Sequence, residues 1–219
     1  IDTRIELINN LMLNDFFRVF IISFFFLVLI NGFNFMDGVN NLCSLNFLII
    51  LFFSYLLIKN VNILYFEDSV LILIFSLLIF VALNFFGKNF LGDGAVYGLS
   101  FIIGYILINI SMSDSTISPY FIANLLWYPA FENLFSIIRR LFASRKKISS
   151  PDTLHLHQLI YLFFSRYVYK KSKFNNTKTG LIILLYNLII FYFTIKFKLY
   201  YDTRIMVSII LFNVAVYLT

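Results

Sequence analysis

Polar residues are sparse along this chain and gather in clusters, and between the clusters run seven apolar segments: Phe17 to Phe35, Cys43 to Ile58, Ser69 to Phe86, Ala95 to Met112, Pro119 to Ile138, Thr179 to Ile195 and Arg204 to Thr219. Each approaches the roughly 20 residues a membrane-spanning helix needs, and shorter spans are accommodated where the bilayer is thin or distorted. Phe, Ile and Leu fill every face of these segments, so periodicity does not say which side packs against protein. Strand-like alternation is missing, which excludes a membrane β-barrel. No repeat of fixed period is visible, and the Asp-Gly pairs at Asp37 and Asp93 have dissimilar flanks. The pattern predicts an all-α fold: a polytopic transmembrane helical bundle of about seven spans, forming a single membrane domain over residues 1–219.

Composition reinforces the class. The chain is 61% hydrophobic and only 13% charged, with 29 Phe, against about 45–50% apolar and about 25% charged in soluble domains. Cys43 is the single cysteine, which rules out an intramolecular disulfide and leaves a small buried hydrophobe as the default reading. The opening residues Ile1-Asp2-Thr3-Arg4 show no basic stretch followed by an apolar core, so no secretory signal is visible.

Charge sets the expected orientation. Ten of the 17 basic residues lie between Arg139 and Lys178, against the single acid Asp152, which marks 139–178 as a cytoplasmic loop. Counting spans backwards places Lys88 to Gly94 and Gly32 to Asn41 on the same side, and the Lys59 to Asp68 loop outside. Lys196, Lys198 and Arg204 oppose the bias. Three polar clusters therefore meet at one membrane face: Asn31-Gly32-Phe33-Asn34-Phe35-Met36-Asp37-Gly38, Phe90-Leu91-Gly92-Asp93-Gly94, and Pro151-Asp152-Thr153-Leu154-His155-Leu156-His157. Carboxylates close to hydrocarbon are costly and usually functional, so the convergence describes an active site.

The chemistry these residues suit is that of phosphate and metal. Asp37 and Asp93 each precede Gly, which permits close backbone approach, and two hard carboxylates at low ligand count match Mg²⁺ shared with substrate phosphates. Either Asp-Gly pair alone could also simply end a helix with a turn. Asn31 and Asn34 lie at i and i+3 on one helix face with Asp37 continuing the row; their amides could read a nucleobase, orient the acid, or bond helix to helix.

Ser150, Pro151 and Asp152 predict the start of a short helix whose backbone N–H groups suit an anion. His155 and His157, the only two histidines, point apart on a helix but the same way on an extended segment. They are not the i, i+4 pair of a helical zinc site. Arg139 and Arg140 could clamp phosphate or merely anchor the inner membrane surface. The basic runs 145–147 and 170–173 suit anionic headgroups, and no nucleic-acid reading is supported.

These residues carry a resemblance. Asn31 through Asn40, Phe90 through Gly94, Glu132-Asn133-Leu134-Phe135-Ser136-Ile137-Ile138-Arg139-Arg140 and Pro151 through Leu159 resemble, in order, the motifs of the polyprenyl-phosphate N-acetylhexosamine-1-phosphate transferases, membrane glycosyltransferase family 4. The resemblance implies Mg²⁺-dependent transfer of a sugar-1-phosphate from a UDP-N-acetylhexosamine to undecaprenyl phosphate, releasing UMP. It further implies a multi-pass protein of the bacterial plasma membrane with its site in the cytoplasm, and a second copy of the chain as a further candidate partner.

By the same resemblance Asp93 would be the metal ligand, Asn31, Asn34, Asn40 and Asp37 would form the nucleotide and metal pocket, and His155 and His157 would face the diphosphate or sugar. The chain departs from the family at Asn40-Asn41, where an acid or Asn is commonly followed by Gly, and at Gln158, where a further His is common. The family's adjacent Asp pair has no counterpart, since Glu67-Asp68 falls on the outer side; an N-terminally truncated member, inactive alone, is the expectation. The competing class is an ion-coupled transporter with Asp37 and Asp93 as intramembrane ion ligands.

The topology is testable. Cysteine introduced near Asp37, Asp93 and His155 in a Cys43-free background should react with an impermeant thiol reagent only after the membrane is opened. Labelling of any one of them from outside would break the single-site argument.

Overall fold

Asn14 starts the first helix: its side-chain oxygen accepts the Phe16 N–H at 2.9 Å, with Asp15 adding charge of the sign that a helix N-terminus favours. The computed structural model describes residues 14–61, 64–84, 89–142, 155–168 and 175–218, the side chains at 60, 61 and 64–66 excepted. These form α1 (Asp15–Met36), α2 (Leu42–Val61), α3 (Leu64–Asn84), α4 (Gly92–Ser113), α5 (Pro119–Leu125), α6 (Trp127–Phe142), α7 (Leu156–Phe163), α8 (Asn175–Lys196) and α9 (Thr203–Leu218). A π-helical turn over Phe164–Val168 follows α7, and no strand occurs among the described residues.

The protein is a membrane-embedded helical bundle. Five segments are long and apolar enough to cross a bilayer: Asp15–Met36, Leu42–Lys59, Glu67–Asn84, Gly92–Ser113 and Asn175–Lys196. A sixth exists only if α5 and α6 are taken as one span bent by 76°. Among the described residues the spans number five or six, and the expected count of seven is not confirmed. Pro129 has no N–H to donate to the Leu125 carbonyl, so the apolar run from Pro119 cannot continue as one helix. The last segment forms a helix of 16 residues, roughly 24 Å long at 1.5 Å per residue, short of the roughly 30 Å hydrocarbon core.

α1 packs against α6 and α4, α2 against α3, α4 and α8, and α9 against α5. The core between them is built from side chains such as Leu29, Phe33, Met36, Phe47 and Leu107, each at most 1% exposed. Asp37 meets Leu91 and Gly92, and Asn40 meets Thr177, which gathers the end of α1 and the starts of α4 and α8 at one pole. There the Asn41 N–H meets Asn84 Oδ1 at 2.8 Å. At the opposite pole Ser118 N–H donates to the Tyr200 carbonyl at 2.9 Å, and the Ser118 and Thr203 hydroxyls lie 3.0 Å apart.

Gly32 fixes how closely α1 and α6 approach. A Cβ at this position would lie 2.0 Å from the Pro129 carbonyl oxygen, a backbone atom that cannot swing aside. Gly32→Ala should therefore lower stability by about 1–3 kcal/mol, the cost of overpacking, read as a reduced melting temperature in detergent. Gly98→Ala, where a Cβ meets nothing within 4 Å, should not. Equal melting temperatures for Gly32→Ala and the parent would show that the helices do not meet here.

Candidate active site

α6 carries its amphipathicity inside out. Glu132, Asn133 and Ser136 are buried, whereas Leu134, Ile137, Ile138 and Leu141 are exposed. In a bilayer this is the favourable arrangement, because the polar stripe meets other helices and the apolar one meets lipid. Asn133 Nδ2 donates to the Val28 carbonyl at 3.1 Å, tying the stripe to α1.

Glu132 is the centre of the stripe, and its side chain is fully enclosed. A buried carboxylate is tolerable only when its oxygens are supplied with donors. Oε1 accepts from the Tyr128 hydroxyl and from the Leu156 N–H, each at 3.0 Å, and Oε2 lies 2.8 Å from His155 Nδ1. His157 Nδ1 stands 3.4 Å from the Tyr128 oxygen and 3.6 Å from Glu132 Oε1. The carboxylate therefore holds the Nδ1 edge of His155 and leaves Nε2 as the outward edge.

The same carboxylate caps α7, since the Leu156 N–H it accepts is the first of that helix. His155 precedes the helix in an extended conformation (φ −68°, ψ 146°), its N–H donating to Gln158 Oε1 at 3.4 Å. Neither arrangement open to the His-x-His spacing holds for both residues: His155 is extended while His157 lies in the first turn of α7, and the two rings lie parallel within 4°, centroids 5.4 Å apart. The helix predicted from Ser150 to Asp152, and Asp152 itself, lie outside the described residues.

On its other side His155 packs against Phe35, centroids 4.7 Å apart, which joins the histidine segment to the end of α1. Two residues on, the Asp37 carboxylate accepts the Leu91 N–H at 3.3 Å and the Gly92 N–H at 3.0 Å. Asp37 thus caps α4, whose first turn carries Asp93, and the two carboxylates are close enough to repel. Partial burial, with a smaller push from Asp93, raises the Asp37 carboxyl above its ordinary value despite the two N–H bonds. Asp93 is exposed, and among the described residues its carboxylate has no hydrogen-bond or ion-pair partner.

The remaining predicted residues divide. Asn40 Nδ2 donates to Thr177 Oγ1, and its oxygen accepts from Asn176 Nδ2, both at 3.3 Å, which fastens the loop after α1 to the start of α8. Asn41 takes the left-handed conformation (φ 62°) that Asn tolerates better than most residues other than Gly. Asn34 is half-buried beside Asp37, its carbonyl accepting the Asp37 N–H at 3.3 Å. Asn31 is exposed and turned back onto the Leu27 carbonyl at 2.8 Å, so it is not drawn into the cluster. Arg139 lies with its guanidinium 5.4 Å from the Phe135 ring centre; it and the half-buried Arg140 stand seven and eight residues beyond Glu132, roughly 11 Å along the helix.

A cleft of about 470 Å³ opens beside these groups, lined by Phe35, Gly38, Val39, His157, Gln158, Tyr161, Leu162 and Asn176. Among the described residues no group of three or more His, Cys, Asp or Glu side chains is placed to enclose a metal. The acidic pair Asp37 and Asp93 instead suits an ion that takes most of its ligands from substrate and water. Sequence reasoning assigned no role to Glu132, Tyr128 or Asn176. The available signal was an acid followed by Asn133 and, at i+4, Ser136 within an apolar helix. Comparison with protein-family models, curated proteins and solved structures finds no match to this chain.

The Glu132 network has a measurable consequence. Glu132→Gln conserves shape but replaces one acceptor by a donor facing three donors, so stability should fall by about 1–3 kcal/mol, the cost of an unsatisfied buried group. Both histidines should also change their chemical shifts. Unaltered histidine resonances in ¹⁵N-labelled Glu132→Gln protein would show that the carboxylate does not hold them.

Proposed function

We propose that the protein containing this chain is a phosphoglycosyl transferase of the bacterial plasma membrane. It passes an N-acetylhexosamine-1-phosphate from a UDP-sugar to undecaprenyl phosphate, with Mg²⁺, releasing UMP and starting a cell-envelope glycan. One observation carries the reading: the Asp37–Asp93 pair and the Glu132-held histidines converge on the end of α1, one through Leu91 and Gly92 and the other through Phe35. The order of motifs along the sequence supports the same class.

The chemistry asks little covalent work of the protein. The lipid phosphate is itself the nucleophile, so the site must neutralise charge and align two phosphates. Asp93, exposed and unpartnered among the described residues, is the ligand of choice for Mg²⁺, and Asp37 keeps lone pairs beyond the two N–H bonds it accepts. A bound Mg²⁺ would supply the charge neutralisation of the diphosphate. His155 and His157 orient donors toward the diphosphate or sugar, with Asn34 and Asn40 at the nucleotide side. Arg139 and Arg140 serve as a phosphate clamp or as anchors at the inner surface. A transporter reading is weaker, because Asp37 ends one helix and Asp93 begins another, instead of lining a path at mid-membrane.

The test is turnover by the full-length protein in nanodiscs supplied with undecaprenyl phosphate, Mg²⁺ and UDP-N-acetylhexosamines, with UMP and the lipid product followed by mass spectrometry. Asp93→Asn should lower UMP release by about a thousandfold or more while leaving the melting temperature unchanged, and excess Mg²⁺ should restore little. A folded Asp93→Asn protein that turns over normally would remove the metal assignment, and no UMP from any UDP-sugar would remove the activity.

A further inference from the structure

The segment that carries His157 has two unlike sides. On the inner side His157 is buried, Leu156 and Ile160 pack against the core, and Ser165 Oγ accepts Asn175 Nδ2 at 3.3 Å, which ties the π turn to α8. On the outer side Leu159, Leu162, Phe163 and Tyr167 recur at helical spacing, 44%, 40%, 54% and 76% exposed. Phe163 and Tyr167 lie against each other, ring centroids 5.5 Å apart, so the stripe runs on from α7 into the π turn. Arg166 stands beside it, exposed, with no hydrogen-bond or ion-pair partner among the described residues.

Position, length and charge decide what this stripe meets. His155, just before α7, packs on Phe35, one residue short of the end of the span Asp15–Met36, so α7 starts at the level where α1 leaves the bilayer. α7 also packs on α8, a second spanning helix. The 8 residues of α7 and the 5 of the π turn are together roughly 20 Å long at 1.5 Å per residue, too short to cross a hydrocarbon core of roughly 30 Å. A short helix at that level, apolar on its outward side, lies along the bilayer surface with the apolar side among the acyl chains and its basic group among the headgroups. Leu156 to Val168 contains Arg166 and no acid, and ten of the 17 basic residues fall between Arg139 and Lys178, a charge complementary to anionic lipid phosphates.

We propose that α7 and the π turn form an interfacial anchor in the leaflet at the active-site pole, with Leu159, Leu162, Phe163 and Tyr167 among the acyl chains and the Arg166 guanidinium on the phosphate of an anionic phospholipid. The anchor depends on the membrane embedding of the bundle and not on the transferase reading. Because His155 precedes α7 and His157 lies in its first turn, the anchor holds both imidazoles at the depth of the headgroup phosphates. Glu132 fixes the inner side of the segment and lipid fixes the outer one.

Spin labels test the anchor on the full-length protein in phosphatidylglycerol nanodiscs. Phe163→Cys, Tyr167→Cys and, from the other side of α7, Tyr161→Cys each receive a nitroxide, with the buried Cys43 retained. Labels at 163 and 167 should be reached by oxygen, be shielded from a water-soluble nickel complex, and lie about 5–10 Å below the phosphates, whereas the label at 161 should be open to the nickel complex. Arg166→Gln, and separately replacement of the lipid by phosphatidylcholine, should each raise the fraction of the 163 and 167 labels reached by the nickel complex by up to about fivefold. Nickel access at 163 and 167 equal to that at 161 would place the stripe in water and overturn the proposal. Labels reached by neither reagent would mean that protein covers the stripe, which overturns it equally. A depth that neither Arg166→Gln nor phosphatidylcholine changes would remove the headgroup contact and with it the anionic anchor.

Discussion

A carboxylate enclosed among apolar helices has to be provided with donors, and the Glu132 side chain is such a group. α6 alone supplies one donor, the Tyr128 hydroxyl one turn back. The others come from the segment beyond α6, which returns to insert the His155 ring and the first N–H of α7. The requirement of one buried oxygen pair thereby settles where α7 begins and which edge the His155 imidazole presents. The parallel stacking of the two histidines and the contact of His155 with Phe35 follow from that placement.

Asp37 applies the same logic at the end of α1. Its oxygens accept the backbone N–H groups of Leu91 and Gly92, so the loop before α4 is drawn to the tip of α1 as the histidine segment is drawn to its flank. α1 becomes the shared support of both halves of the site, and Gly32 is what lets it lie against α6 at Pro129 closely enough for the two halves to meet. A few ångströms of helix separation decide whether acids and histidines face one volume or two.

The spans were legible where composition alone decides them, since Phe17 to Phe35 or Ala95 to Met112 can satisfy their backbones in lipid only as helices. Composition could not reveal that the run from Pro119 breaks at Leu126, because the cause is one missing N–H at Pro129 and not a change in apolarity. The convergence of three polar clusters followed from counting helices; among the described residues Asp37, Asp93, His155 and His157 gather about the end of α1, with Asn31 left outside. The role of Glu132 was not legible: its donors include the hydroxyl of Tyr128 and groups 23 and 24 residues away, a separation that no local pattern encodes. The His-x-His geometry was undetermined for a related reason, since the start of α7 falls between the two histidines and is set by the Leu156 N–H bond to Glu132.

The acids of the site differ in what the fold asks of them. Glu132 and Asp37 each hold backbone N–H groups that begin a helix, α7 in one case and α4 in the other, so their charge stabilises helix ends as well as the site. Asp93 takes part in no such bond among the described residues and stands exposed on the first turn of α4. Removing an acid that caps a helix disturbs structure and chemistry together; removing one without a partner disturbs only what binds to it. An exposed carboxylate held beside a half-buried one incurs repulsion, which the Leu91 and Gly92 N–H groups offset at Asp37, while Asp93 has no such bond among the described residues. A cation arriving with the substrate would relieve that repulsion, which gives the proposed Mg²⁺ dependence a basis in the electrostatics of the pair as well as in the order of the motifs.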